Sequence, residues 1–287
     1  MKSRTKLGAA AGLVGLAWAG TVAAIAANQR KLVFNPASLR EADNPRSSGH
    51  RTRTVTLRAA DGTRLSGWLM TPQTAGPHPA VLYFGGRSEE VSWVARDAGR
   101  MFPGMAVLAL NYRGYGQSHG QPGEQAFIDD ATLLFDWLAE RADVDATRIA
   151  LVGRSLGSGV AIQIARARPA HSMVLITPYD SILALAQKRF RGVPVQLVLR
   201  HRFESVRHAT GLATPTLVLR AESDVVVPHA HTDRLVAKLS GRVEDQTVPQ
   251  SDHFDIPYLA DTQERIARFL TMQSKRAPLC TFVEHNA

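Results

Sequence analysis

The sequence predicts an α/β domain, with a mostly parallel central sheet, helices on both faces, a short helical cap inserted late in the chain and an apolar helix in front. Three observations lead there. Short apolar runs alternate with amphipathic stretches over residues 80–272, the pattern of parallel strands joined by crossover helices. The pentapeptide Gly153-Arg154-Ser155-Leu156-Gly157 lies between the apolar run Ile149 to Val152 and the helix-like stretch Val160 to Ala165. The chain has 287 residues, 45% of them hydrophobic and 21% charged, which suits one such domain plus a terminal segment.

The elements follow in order. Thr52 to Leu57 and Arg64 to Met70 alternate apolar and polar residues around Asp61-Gly62 and read as a hairpin. Ala80 to Phe84 is a strand and Glu89 to Met101 a helix. Ala106 to Asn111 is a strand and Phe127 to Glu140 a helix. Ile149 to Val152 leads into the pentapeptide and its helix, and Ser172 to Ile176 is the next strand. Residues 178–211 break the alternation and read as a small helical insertion above the sheet. Thr216 to Arg220 and Val243 to Val248 are the last strands, with helices at His229 to Lys238 and Ile256 to Met272. Residues 29–50, with Pro36 and Pro45, read as a linker, and 273–287 as a tail.

In front of this domain, Lys2, Arg4 and Lys6 precede an uncharged run from Leu7 to Asn28. Its length is enough to cross a bilayer as a helix, about 20 residues. Three readings compete: an uncleaved signal-anchor, a secretory signal cut near Ala24-Ile25-Ala26, and a buried helix. The run is longer than the roughly 7–15 apolar residues of a cleaved signal, which favours the anchor. The flanking charges would keep residues 1–6 cytoplasmic and place the domain on the other side.

Charge and cysteine content narrow the function classes. Cys280 is the only cysteine, so no intramolecular disulfide and no cysteine-based metal site can form. The net charge of +9 is concentrated in two places. Residues 1–50 hold seven Lys/Arg against two Asp/Glu, and residues 188–207 hold six basic residues against Glu204. No nucleic-acid-binding module accompanies them. Basic patches beside an apolar terminus suit an anionic membrane surface, although scattered solvated arginines would look the same. Asp129-Asp130 lies on a helix with no histidine near, and adjacent helical residues point apart, so a solvated face is expected rather than a metal site. Gly114-Tyr115-Gly116 is too short for a dinucleotide fingerprint. No cofactor is expected.

The pentapeptide points to chemistry. A strand that turns abruptly into a helix leaves no room beside the turn, so glycines flank the central serine and its Oγ stands exposed at the strand's carboxyl end. A serine hydroxyl needs a base to take its proton, and the base needs a group to fix its tautomer. In this architecture the chain order is Ser, then Asp or Glu, then His. Asp224 follows the strand Thr216 to Arg220, and His253 follows Val243 to Val248. Both therefore join Ser155 at one sheet edge. Glu222 competes with Asp224 for the orienting role. Asp252 and Asp255 flank His253 too closely to bond its ring. His229 and His231 open a helix and read as solvated caps, and His285 lies in the tail. Donors for an oxyanion should be the Leu156 backbone N–H and one from the loop Gly85-Gly86-Arg87-Ser88, either Gly86 or Arg87.

Several stretches then resemble one branch of the α/β-hydrolase superfamily: Asn111 to Pro122, Gly153 to Gly159, Thr177-Pro178-Tyr179-Asp180-Ser181, Pro194 to Ser205, and Asp224 to Pro228. The chain is similar, over about residues 30 to 271, to the membrane-anchored α/β-hydrolase-domain proteins, akin to serine aminopeptidase and prolyl-oligopeptidase-like hydrolases. The resemblance implies a Ser155-Asp224-His253 triad, a short cap at 178–211 and N-terminal anchoring. One departure is Gly85-Gly86-Arg87, where these proteins usually have His-Gly-Asn. A backbone donor survives that change, whereas the side-chain polarity of the pocket does not. The resulting expectation is a serine hydrolase acting on ester, thioester or similar acyl bonds of a small-molecule or acylated substrate near a membrane. The rivals are a peptidase or amidase using the same three residues, and a non-catalytic binding member of the fold.

Overall fold

The computed structural model describes residues 2–37 and 45–276, with side chains from Gly15 onward. Eight strands form one sheet: β1 (His50–Arg58), β2 (Arg64–Pro72), β3 (His78–Phe84), β4 (Ala106–Leu110), β5 (Val144–Arg154), β6 (Ser172–Ile176), β7 (Thr216–Ala221) and β8 (Val243–Val248). Their spatial order is β1-β2-β4-β3-β5-β6-β7-β8. β2 pairs antiparallel with both β1 and β4, and every other pairing is parallel. The expected hairpin is present, with Arg58 opposite Arg64.

The central strands are apolar throughout because helices cover both faces. Successive residues of β3 feed opposite cores. Leu82 and Phe84 join one cluster, while Val81 and Tyr83 join the other. The first cluster is closed by α3 (Glu124–Ala139), α4 (Leu156–Ala167) and α8 (His229–Val236) through Phe127, Leu134, Val160, Ile164 and Leu235. The second is closed by α2 (Ser92–Met101) and α9 (Ala260–Ser274) through Val94, Ala98, Ile266 and Phe269. Each fully buried Val, Leu, Ile or Phe stabilises the fold by about 1.5–3 kcal/mol. The insertion over residues 178–211 holds three short helices, α5 (Ile182–Arg189), α6 (Val195–Val198) and α7 (Ser205–Ala209).

Some boundaries and surroundings differ from expectation. The helix expected from Glu89 begins at Ser92, because the Glu89 side chain turns inward to bind buried donors. Asp129 faces solvent as expected, but Asp130 does not. It is buried and takes two hydrogen bonds from Arg113, at 2.8 and 2.6 Å. Burial pushes the Asp130 carboxyl above its ordinary value even so. Arg113 also reaches Asp61 at 2.8 Å. The stretch Asn111 to Pro122 is thereby clamped between the hairpin and α3, with Tyr112 stacked on Phe127 at 4.0 Å.

The N-terminal run forms part of α1 (Lys2–Val33). Among the described residues no helix is long and apolar enough to cross a membrane, so the expected anchor helix has no counterpart there. Near the end of α1, Asn28, Gln29, Arg30 and Lys31 interrupt its apolar character. Gln29, Val33 and the following Phe34 are instead buried against the domain. Phe34 meets Phe127 at 5.0 Å and Phe203 at 6.1 Å between ring centroids. The side chains of Lys2, Arg4 and Lys6, and the tail with Cys280 and His285, lie outside the described residues.

Candidate active site

β5 delivers Arg154 and Ser155 to the carboxyl edge of the sheet, and α4 starts at the next residue. The turn is as tight as the glycine spacing demands. A Cβ on Gly153 would lie 2.4 Å from the Gly157 carbonyl oxygen, and one on Gly157 would lie 2.2 Å from that of Phe84. Ser155 itself takes φ 46° and ψ −114°. Such a backbone costs on the order of 1–3 kcal/mol and persists where packing on both sides enforces it.

Three of the residues singled out in the sequence meet in one hydrogen-bonded chain. Ser155 Oγ lies 2.9 Å from His253 Nε2, and His253 Nδ1 lies 2.8 Å from Asp224 Oδ2. The other carboxylate oxygen of Asp224 accepts the backbone N–H groups of Val226 (2.9 Å) and Val227 (2.7 Å). These bonds orient the carboxylate. The side chains of Asp224 and His253 are buried. With Asp224 ionised, Nδ1 holds the ring proton and donates it to the carboxylate. Nε2 is then free to accept from the serine hydroxyl.

The competing groups go elsewhere. Glu222 accepts the Gln250 backbone N–H at 2.8 Å. Asp252 caps its own turn, accepting from Phe254 and Asp255 N–H, and those bonds hold its carboxyl below the ordinary value. His229 packs its Nε2 against the Ala221 carbonyl at 2.8 Å. His231 is not a solvated cap. It is buried, with Nδ1 2.8 Å from Asp180, a carboxylate that also binds Arg234 at 2.7 Å.

Just past the loop Gly85 to Ser88 stands a group that the sequence reading missed. Glu89 is buried and its Oε2 accepts the Gly86 N–H at 2.6 Å and Arg154 Nη1 at 2.8 Å. Its Oε1 accepts Tyr83 Oη (2.8 Å) and Trp93 Nε1 (2.9 Å). Arg154 Nη2 continues to the carbonyl oxygens of His253 (3.3 Å) and Phe254 (3.1 Å). Burial works to lower the Arg154 pKa, but the charge and hydrogen bond of Glu89, together with Tyr83 and Tyr258, outweigh it and hold the guanidinium above its ordinary value. Burial, reinforced by Glu89, pushes the Tyr83 hydroxyl well above its usual range, so it remains a donor. The Gly86 N–H is thus taken by a carboxylate. Among the described residues, the Arg87 and Leu156 backbone N–H groups have no protein acceptor.

Ser155 opens into a cavity of about 810 Å³. One end presents Ser155, His253 and the 86–89 loop. The rest is largely apolar, lined by α5 and α6 and by Ile25, Leu32 and Val33 of α1. The contribution of α1 was not legible in the sequence, where residues 29–50 read as a linker.

The comparisons with known proteins agree with this architecture. Residues 75–205 match the family described as serine aminopeptidase, S33, and residues 18–128 match acetyl xylan esterase. An uncharacterized Mycobacterium tuberculosis protein is 33% identical over 265 residues, covering 90% of this chain and 93% of its own. The α/β-hydrolase domain-containing protein WAV2 of Arabidopsis thaliana is 30% identical over 270 residues, covering 85% and 87%. Among solved structures, an acetyl xylan esterase from Paenibacillus sp. R4 superimposes with a TM-score of 0.64 at 20% identity, covering 80% of this chain and 86% of that one. An esterase from Pyrococcus furiosus gives a TM-score of 0.64 at 19% identity, covering 84% and 98%.

Proposed function

The chain belongs to the α/β-hydrolase superfamily, and from that premise we propose that it is a serine hydrolase cleaving acyl esters or thioesters through an acyl-enzyme. The observation that supports this most is the hydrogen-bonded line Ser155–His253–Asp224, two contacts of 2.9 and 2.8 Å opening on a cavity. In this reading His253 Nε2 takes the Ser155 proton as Oγ attacks the acyl carbonyl. Asp224 holds the ring and offsets its positive charge. The negative charge developing on the carbonyl oxygen faces the N–H groups of Leu156 and Arg87. Arg87 is preferred to Gly86 because the Gly86 N–H already serves Glu89. His253 then protonates the leaving alcohol or thiol, and water repeats the sequence to free the acid.

An active-site label tests this. A fluorophosphonate probe should modify the wild type and leave Ser155→Ala unlabelled. Equal labelling of both proteins removes the nucleophile from the scheme. A peptidase would use the same groups, so turnover of p-nitrophenyl esters against aminoacyl anilides separates the two. A non-catalytic protein would neither label nor turn over either class.

Peripheral contact with a lipid surface belongs to the same reading. Its support is the basic stretch 188–207, the exposed Leu197 within it and the exposed Trp18 bonded to Gly192 of the same stretch. Co-sedimentation with anionic vesicles should fall as salt rises. A protein that stays in the supernatant at low salt lacks that contact.

A further inference from the structure

α1 is built into the wall of the cavity at Ser155, tied to it on two sides. On the cap side, Trp18 Nε1 donates to the Gly192 carbonyl (2.8 Å). Gln29 Nε2 donates to that of Val198 (3.3 Å), and Gln29 Oε1 accepts the Arg200 N–H (2.8 Å). On the oxyanion-loop side, Arg87 Nε donates to the Leu32 carbonyl (3.0 Å), where a cation also suits the carbonyl end of a helix. The Ser88 N–H donates to the Phe34 carbonyl (3.2 Å), and Asn35 Nδ2 to Ser88 Oγ (2.8 Å). Gln29 is buried with its amide oxygen and nitrogen both matched to cap backbone. A buried amide leaves the interface only by losing those bonds, so the contact is specific rather than a passive lean.

Between these ties, Ile25 and Val33 of α1 line the same cavity as Val195 and Val198 of α6 and Leu185 of α5. An acetyl group would need only the space next to Ser155. A cavity of about 810 Å³ with a largely apolar lining has room for far more. Cavities of this size bury most of a ligand of some tens of atoms.

We propose that α1 is the specificity-determining wall of an acyl-chain site. The favoured substrate carries a medium or long unbranched acyl chain that lies between α1 and the cap with its carbonyl at Ser155. This rests on the hydrolase reading above and adds the substrate class. Each methylene that enters the cavity in the transition state raises kcat/KM by about fourfold, up to the length that fills it.

The test is a series of p-nitrophenyl esters from acetate to dodecanoate on the full chain. In the wild type, kcat/KM should rise at least about tenfold from butyrate to octanoate. Ile25→Trp narrows the cavity, so the octanoate-to-acetate ratio of kcat/KM should fall by about tenfold or more. Ile25→Ala widens it, so the dodecanoate-to-octanoate ratio should rise. The two variants act in opposite directions, so a loss of foldedness in one, read from its thermal melt, leaves the other decisive. The source of the acyl group is separated by two further arms, a lysophospholipid and an S-octanoyl cysteinyl peptide. Fatty-acid release from the first identifies a lipid substrate, and from the second an acylated protein. A flat series with Ser155-dependent acetate turnover overturns the acyl-chain site and leaves the hydrolase standing. Unchanged ratios in both Ile25 variants overturn the role of α1. No turnover of any ester together with no probe labelling sinks both readings.

Discussion

Glu89 and Arg154 form a buried ion pair, Oε2 to Nη1 at 2.8 Å, at the meeting point of three loops. The carboxylate holds the Gly86 N–H of the loop after β3. The guanidinium extends from the residue before Ser155 to the backbone carbonyls of His253 and Phe254. One pair therefore ties together the segments that carry Ser155, His253 and Gly86, which the proposed mechanism casts as nucleophile, base and oxyanion loop. Glu89→Gln keeps the shape and removes the charge. Misplacement on the order of 1 Å costs about 100-fold in rate, so kcat should fall by about 10- to 100-fold with KM nearly unchanged. The melting temperature should fall too, because a buried guanidinium left without its partner is costly. Steady-state kinetics beside a thermal melt check this. A loss confined to KM would contradict it.

Asp224 and Glu222 are two residues apart and only one faces the imidazole. Asp224→Asn should lower kcat by about 10⁴ by stabilising the wrong ring tautomer. Glu222→Gln keeps an oxygen that can accept the Gln250 N–H and removes only the charge, so it should stay within a few-fold of wild type. Comparable losses in the two variants would reassign the orienting carboxylate.

Gly157 allows α4 to start hard against the end of β3. An alanine there would set its Cβ 2.2 Å from the Phe84 carbonyl oxygen, a backbone atom that has no room to yield. Gly157→Ala should destabilise by about 3 kcal/mol or more. Chemical denaturation reads this directly, and a midpoint equal to wild type would mean the elbow is looser than described.

Arg113 joins the β1–β2 hairpin to α3 through Asp61 and Asp130. The bond to Arg113, helped by the Thr63 N–H, lowers the Asp61 carboxyl from 3.8 to about 2. The folded pKa is depressed, so the contribution is present above the unfolded value and is lost as pH falls from 3.8 toward about 2. The melting temperature of wild type should exceed that of Asp61→Asn at about pH 6, and the gap should close toward about pH 2. Asp61 is exposed, so added salt should also shrink the gap. A gap independent of both pH and salt would rule out the charge as its cause.

Much of this was readable in one dimension. The strands β3 to β7 announce themselves by apolar runs, because a parallel strand covered on both faces must be apolar on both, whereas β8 at the sheet edge carries Glu244, Asp245 and Gln246. Ser155 was legible because its turn admits only glycine on either side. Asp224 and His253 were legible because each falls just past a strand, and all parallel strands end at one edge. Glu89 read as an ordinary helix start, and Arg154 as the variable position of a pentapeptide. Their partnership joins residues 65 apart and left no local pattern. Asp130 and His231 read as solvated for the same reason, since the arginine and the carboxylate that bond them come from other elements.

The apolar run at the N-terminus marks the limit most clearly. Hydropathy and length, which are properties of neighbouring residues, established a helix there and suggested a bilayer around it. That Gln29 bonds to the cap and the Leu32 carbonyl to Arg87 depends on groups more than fifty positions away in the chain. By itself the sequence determined the layered sheet and the three residues at its edge, since periodicity and turn sterics act between near neighbours. Only the tertiary structure decided which charges are buried together and which helix walls the cavity, because complementarity between distant surfaces is set when the chain closes on itself.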